Sequence, residues 1–406
     1  RAMSRQASAL LAASIPEFGW SVGEALFVPF LQGIGCPSRW LGLCWLPSPI
    51  VGMLCAEKLG DFTDRYGRGP FIICFTLVAG FFCVLLPEVD TAPGMWRVIL
   101  PIAAYSVVDI CHDMLVTPTR AMVNDEIADP LVAATGAAMA AGVGKVVGLA
   151  ICASSDMSTA FTTVGLILPS LALPAACLPA PPAHVAEPAT PELFPHEATV
   201  SFRLVWWVTT IGWTQAMVAA FFGTAVFGGY VFGGDPGTHQ YDAGVRFGTW
   251  CVAGQAAACV PVGMCLPAIV RWAGGPAHAL VGGVAGFALL LGCIRSTTEP
   301  YVAGAALVAT ALPYQLVTNC AYAWVEGNPS FGPEERGRTT GRVTRTLAVA
   351  QCLLAVLSGP LVELAGGQLV VAFDAAIFLG VGTASVGAWS LRRSRGGGKG
   401  LEPLLQ

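Results

Sequence analysis

The chain has 406 residues, 55% hydrophobic and 11% charged, with a net charge of −4 and a mean hydropathy of +0.66. A soluble domain carries about a quarter charged residues, so this chain has too little polar surface to meet water on every side. The composition excludes an ordinary soluble enzyme and points to an all-α protein whose solvent is a lipid bilayer; the small net charge says nothing about nucleic acid, and no nucleic-acid partner is expected.

A helix needs about 20 apolar residues to cross the hydrocarbon core. In chain order the sequence predicts twelve such helices, at 8–34, 39–59, 71–87, 96–123, 131–153, 158–180, 204–232, 244–271, 277–295, 300–325, 343–365 and 368–391. Membrane strands alternate apolar and polar residues, whereas the run from Leu77 to Leu86 is apolar on all sides. The first apolar run is long enough to span, so it reads as a helix and not as a cleaved leader. Because the chain begins at Arg1, there is room for a short missing leader or tag.

Of 21 Lys and Arg, fifteen fall in the termini and in the loops after even-numbered helices, and four (Arg39, Arg97, Arg246, Arg295) fall on the other side. Arg120 and Lys145 lie inside helices. The positive-inside rule then places both termini in the cytoplasm, in a plasma or organelle membrane. The Pro-rich run from Pro179 to Pro191 divides the chain once. The expected organisation is a six-helix bundle over 1–180, a cytoplasmic linker over 181–203, a second six-helix bundle over 204–391 and a cytoplasmic tail over 392–406. Paired six-helix bundles are the layout of carriers that rock around a midplane site. The 48 glycines suit close helix packing in lipid. Fourteen scattered cysteines with no C-x-x-C pair predict neither disulfides nor a metal site, and no cofactor is expected.

Between the second and third helices stands a G-x-x-x-D-R-x-G-R pattern: Gly60, Asp64, Arg65, Gly67 and Arg68. It resembles the signature loop of the major facilitator superfamily, which implies that fold and a conformational latch at these five residues. Gly69 stands where the pattern usually ends on a base. A closer resemblance is to the plant sucrose–proton symporters and the animal sucrose-transporter-like solute carriers. Phe18-Gly19-Trp20, Pro29, Gln32, Gly35, Pro37 and Trp40 carry it in the first helix and the loop after it, and Asp109, Pro118, Arg120 and Asp125 in and after the fourth. In the second half Gly212-Trp213, Gly233-Gly234-Asp235-Pro236 and Pro313-Tyr314 carry it more patchily. The resemblance implies a secondary carrier of sucrose or a related sugar, driven by protons.

Buried charges locate the candidate site, because an ionised side chain at midplane is costly and normally faces protein or water. Asp109, His112, Asp113 and Arg120 form a polar stripe on the fourth helix, with Arg120 about 16 Å beyond Asp109 on the same face. Asp109, Asp113 and His112 are the expected proton-coupling groups. Arg120 is expected to hold sugar hydroxyls or to pair with Asp109. Glu24 and Lys145 are the other buried ions, and pairing Lys145 with Glu24, or with Asp109, would neutralise them. Trp20, Phe27 and Trp213 are candidates for an aromatic platform, since sugar rings present apolar C–H faces. The plainer readings are a static ion-pair cluster and ordinary packing aromatics. Where the sucrose carriers have an Asp in the seventh helix this chain has Ala225, and Met217 replaces the animal family's acid. Coupling must then rest on the first half or be absent. Competing readings are an uncoupled sugar facilitator and a carrier of an organic cation or amine. A membrane-embedded enzyme lacks support, since no H-E-x-x-H or Walker pattern occurs.

Overall fold

The computed structural model describes residues 2–127, 130–176, 200–328 and 333–395. Among them twelve helical units follow one another with no strand. The first six are α1 (Ala2–Val22, continued through a π turn at Gly23–Phe27 into Val28–Gly33), α2 (Pro47–Tyr66), α3 (Arg68–Leu85), α4 (Trp96–Glu126), α5 (Pro130–Ser154) and α6 (Met157–Ala176). The second six are α7 (Phe202–Val226, with a π turn at Phe227–Val231), α8 (His239–Ala273), α9 (Pro276–Arg295), α10 (Pro300–Ala309 and Ala311–Gly327), α11 (Pro333–Leu364) and α12 (Val370–Arg395). Ten of these units are long and apolar enough to cross a membrane. The other two are α1, broken by its π turn, and α2, whose second half carries Glu57, Lys58 and Asp61. The protein is a multi-pass, all-α membrane protein.

Local chemistry sets the helix ends. Ser201 caps α7 by accepting from the Leu204 N–H, and Thr238 caps α8 by accepting from Tyr241. Asp156 does the same before α6, and the Thr159 hydroxyl and N–H that it accepts hold its carboxyl below the usual range. Prolines open α2, α9 and α10, where a missing N–H costs nothing. Gly274, left-handed at φ 86°, closes α8.

Three boundaries differ from expectation. The second helix starts at Pro47 and not near 39, because the segment before it coils into short 3-10 turns at Ser38–Trp40 and Leu43–Trp45. The eleventh starts at Pro333, a full ten residues early, since its first turns are polar and carry no hydropathy signal. The expected loop at Gly60–Pro70 is mostly helix: α2 runs to Tyr66, α3 starts at Arg68, and the turn is Gly67 alone at φ 85°. The linker expected at 181–203 falls largely on 177–199, and most of the tail on 396–406, outside the described residues.

Small residues let the helices close. A Cβ on Gly144 or Gly148 of α5 would run into Ser14, Phe18 or Ser21 of α1, and Gly80 of α3 and Gly165 of α6 face each other's carbonyls. The two halves meet along α5 and α8, along α2 and α11, and where residues 38–45 press on α11. On the face opposite the termini this seam is sealed. The Tyr241 hydroxyl donates to Gln32 Oε1 at 2.5 Å, and Thr224 donates to the Ala25 carbonyl at 2.7 Å inside the π turn of α1, where the helical ladder is loosened. Trp45 stacks flat on Phe221 at 3.8 Å, and Gly359 lies against the Arg39 backbone.

Gly148→Ala is expected to lower the Tm of the detergent-solubilised protein, through an overpacking loss of about 1–3 kcal/mol. Gly282→Ala, whose Cβ meets nothing within 4 Å, should leave the Tm unchanged in the same thermal-shift measurement.

Candidate functional site

The first half contributes a charged wall to the seam. On α1, Glu17, Trp20 and Glu24 recur at helical spacing, which puts them on one side of the helix. Between the close contacts at Gly144 and Gly148, Lys145 of α5 reaches across to them. Its Nζ lies 2.8 and 2.9 Å from the two Glu24 oxygens and 3.6 Å from Glu17 Oε2. One ammonium therefore faces two carboxylates. Behind Trp20, its indole N–H donates to Asp109 Oδ1 at 3.0 Å, and Asp109 is only 2% exposed. Ser48 of α2 donates to Asp113 Oδ2. His112 is fully buried against Gly19, its ring edge-on to Trp20 at 6.4 Å, with no hydrogen bond to a described residue.

The second half contributes a neutral wall. A narrow cleft runs between Glu24 and Lys145 on one side and Trp213, Met217, Gln255 and Tyr314 on the other. The Tyr314 ring lies 6.0 Å from Lys145 Nζ and takes the Trp213 edge at 6.3 Å and 82°. Gln255 donates to Thr310 at 3.0 Å, leaving its carbonyl oxygen free of that bond.

The two walls are versions of one arrangement. In each half a Gly-Trp pair on the first helix packs on the fourth. Gly19 lies against His112 of α4, and Gly212 against Val317 of α10. Three residues before each contact stands the group that meets the tryptophan, Asp109 for Trp20 and Tyr314 for Trp213. The repeat keeps the geometry and exchanges an acid for a phenol.

Helices in this order and packing occur in solved carriers. The structure matches the nucleoside transporter NupG with a TM-score of 0.72 at 12% identity, in its D323A mutant, over 96% of this chain and 99% of that one. It matches a bacterial homologue of the human lysosomal transporter Spinster, inward-facing and occupied, with a TM-score of 0.64 at 15% identity, over 96% and 92%. The fold is that of the major facilitator superfamily. No family model matches the chain. Among curated proteins it is similar to the sucrose transport protein SUC4 of Arabidopsis thaliana, 25% identical over 288 residues, 57% of this chain and 56% of that protein. It is also similar to the general alpha-glucoside permease of Schizosaccharomyces pombe, at 26% over 143 residues, 30% of this chain and 26% of the permease. Proton-associated sugar transporter A of Mus musculus is 29% identical over 123 residues, 27% of this chain and 16% of that protein. The matches thus span about half, or less, of these relatives' length.

Within this major facilitator fold the predicted residues separate. Glu24, Lys145 and Trp213 line the cleft. Of the two pairings open to Lys145, the structure holds the one with Glu24. Asp109 and Asp113 stand on the same side of α4 but are tied to Trp20 and Ser48. Phe27 is no platform: it is fully buried, stacked on Tyr105 at 3.8 Å and edge-on to Trp45, because the π turn directs it into the bundle. Arg120 does not pair with Asp109. It is exposed near the terminus-bearing end of α4 and bonds no described residue, since about 16 Å of helix is longer than its side chain. In the expected latch, Arg68 pairs with Asp125 at the end of α4, and the side chains of Gly60, Asp64 and Arg65 lie outside the described residues. Sequence reasoning missed Glu17, whose spacing of seven from Glu24 marks the same face, and missed Gln255 and Tyr314 as wall residues.

Reversing one charge, by Glu24→Lys or Lys145→Glu, is expected to lower the yield of folded protein, because a buried ion loses its partner. The double reversal should recover most of it, as measured by size-exclusion profile and Tm. Failure of the double to exceed either single would remove the pair from the account.

Proposed function

We propose that the chain is a secondary carrier that moves sucrose or a related sugar across a membrane by alternating access, coupled to protons. The observation that carries this reading is the cleft at the seam, with an ion pair on one wall and two aromatic rings and an amide on the other. Sugars are bound by that combination: hydroxyls bond to charged and amide groups, and apolar C–H faces pack on rings. Lys145, Glu24 and Gln255 would take hydroxyls, and Trp213 and Tyr314 a ring face. Trp20 would link the occupied cleft to Asp109. Asp109 and Asp113 are the proposed proton carriers, and Arg120 a contact for the sugar on its way through the terminus-bearing side. The sugar-transporting relatives support the substrate class, and the fold supports the rocking of one half against the other.

In this conformation the face opposite the termini is sealed by Tyr241, Gln32, Thr224 and Trp45, so exchange with solvent would run through the terminus-bearing face. The excess of Lys and Arg there supports a cytoplasmic position for that face. Rocking then requires the Tyr241–Gln32 and Thr224–Ala25 bonds to break.

One observation favours a second reading. Glu17, Glu24, Asp109 and Asp113 outnumber the single ammonium of Lys145 on the charged wall, which would suit an organic cation or amine. Labelled sucrose uptake in a cell without its own sugar carrier, at acidic and neutral external pH, separates the readings. The proposal predicts greater uptake at acidic pH, and Asp109→Asn, which keeps the bond from Trp20, should abolish accumulation. Uptake with no pH dependence would leave an uncoupled facilitator. Competition by amines but not by sugars would point to the cation carrier.

A further inference from the structure

The proposed proton carriers stand on α4, behind Trp20. The carboxylates on the cleft side of α1 are different ones, Glu24 and Glu17, and they share one base. Lys145 Nζ is 2.8 Å from Glu24 and 3.6 Å from Glu17, so the ammonium is seated on the first and within reach of the second. Side-chain exposures of 12% for Lys145, 13% for Glu24 and 25% for Glu17 place all three inside the protein's wall, with Glu17 the most open to solvent.

Among the described neighbours, the one other basic side chain is His112, which lies behind Trp20 against Gly19 and not beside the two acids. On α4, Asp109, Tyr105 and His112 approach this side, with Asp109 adding negative charge. From α8 comes the Cys259 thiol, and from α10 the Tyr314 phenol. The α6 helix, which also packs on α1, has no ionisable side chain. Two carboxylates and one ammonium leave a surplus of one negative charge where water is scarce, and interior charge is normally matched. We propose that Glu17, Lys145 and Glu24 form a binding site for one monovalent cation, a proton, which Lys145 distributes between the two acids by moving from one to the other.

When the proton sits on Glu17, Lys145 bonds Glu24, the seating in this structure. When it sits on Glu24, the ammonium is released toward Glu17. The balance is simple: hydronium at one membrane face gives its proton to a carboxylate and leaves water, and the same carboxylic acid returns a proton to water at the other face. Glu24 and Glu17 are seven residues apart along α1, about 10 Å, with Glu17 nearer the terminus-bearing face. The proton's seat therefore changes which wall residue holds the ammonium, and with it the polarity that the second half meets across the seam. This rests on the carrier reading for its consequence, but proton loading can be read without any sugar.

The test is infrared difference spectroscopy of the purified protein in liposomes, comparing acidic with neutral pH in the carbonyl-stretch region of protonated carboxyls. Relative to the unaltered protein, Glu17→Gln and Glu24→Gln should each lose the same carboxylic-acid component, since one acid with one ammonium is already neutral. Lys145→Gln should do the opposite and show a larger component. A band unchanged in Glu17→Gln would overturn the proposal, as would one that shrinks in Lys145→Gln. The same spectra in sodium and in choline buffers distinguish the ion, because a component suppressed by sodium alone would make the site one for sodium and contradict the proton. Should Glu17→Gln fold poorly, Glu17→Asp should restore the component. Absence of sucrose uptake with these spectra intact would remove the sugar reading and leave this site standing.

Discussion

Lys145 reaching from α5 to Glu24 and Glu17 of α1 is the contact on which the rest of the site depends. It exists because Gly144 and Gly148, on either side of it in the chain, have no side chains to hold α5 away from Ser14, Phe18 and Ser21. Close backbones let a long flexible side chain end on two carboxylates that α1 presents two turns apart. An interior ammonium would be costly unmatched, so the glycines and the ion pair are two parts of one solution. The same α5 packs on α8, which brings the charged wall to the seam and not to lipid.

Across that seam the second half repeats the arrangement without the charges. Gly212 and Trp213 sit on α10 as Gly19 and Trp20 sit on α4, yet Tyr314 replaces Asp109 and Val317 replaces His112. A neutral aromatic wall costs little to expose or to cover, whereas the charged wall must always keep its partners. The aromatic column Phe27–Tyr105–Trp45–Phe221 joins the halves on the face opposite the termini, and in the proposed carrier the asymmetry of the walls would let one half hold the ions while the other moves past it.

Much of the fold was legible in the sequence because lipid imposes a simple rule. Long apolar runs must be helices, so twelve were expected, and the described residues form twelve helical units, ten of them long and apolar enough to span. Boundaries failed where that rule stops applying. Residues 40–45 are apolar, but 3-10 turns at Ser38–Trp40 and Leu43–Trp45 occupy this segment between Pro37 and Pro47, and α11 begins in polar residues outside the apolar run. The site was legible as a set of buried ions but not as a geometry. Helical spacing aligns Asp109 with Arg120, but it carries no information on how far a side chain can reach or on which neighbour competes for it. Trp20 takes Asp109, and Arg120 remains exposed. Phe27 looked like a platform because spacing from Trp20 ignores the π turn between them. Glu17 was readable from spacing alone, since seven residues separate it from Glu24 on one face of α1.

The central claim is that the charged and neutral walls enclose a cleft whose seal on the face opposite the termini opens and closes during transport. Its most direct test places cysteines at Gln32 and Tyr241, whose side chains touch tip to tip across that seal, in a background with Cys36 replaced by serine. Because two long side chains span that gap, the thiols are joined by a bifunctional methanethiosulfonate reagent of about 10 Å reach and not by direct oxidation, and labelled sucrose uptake is measured before cross-linking, after it and after reduction. The account predicts that the cross-link stops uptake and that reductant restores it. Uptake at an undiminished rate by the fully cross-linked protein would contradict it.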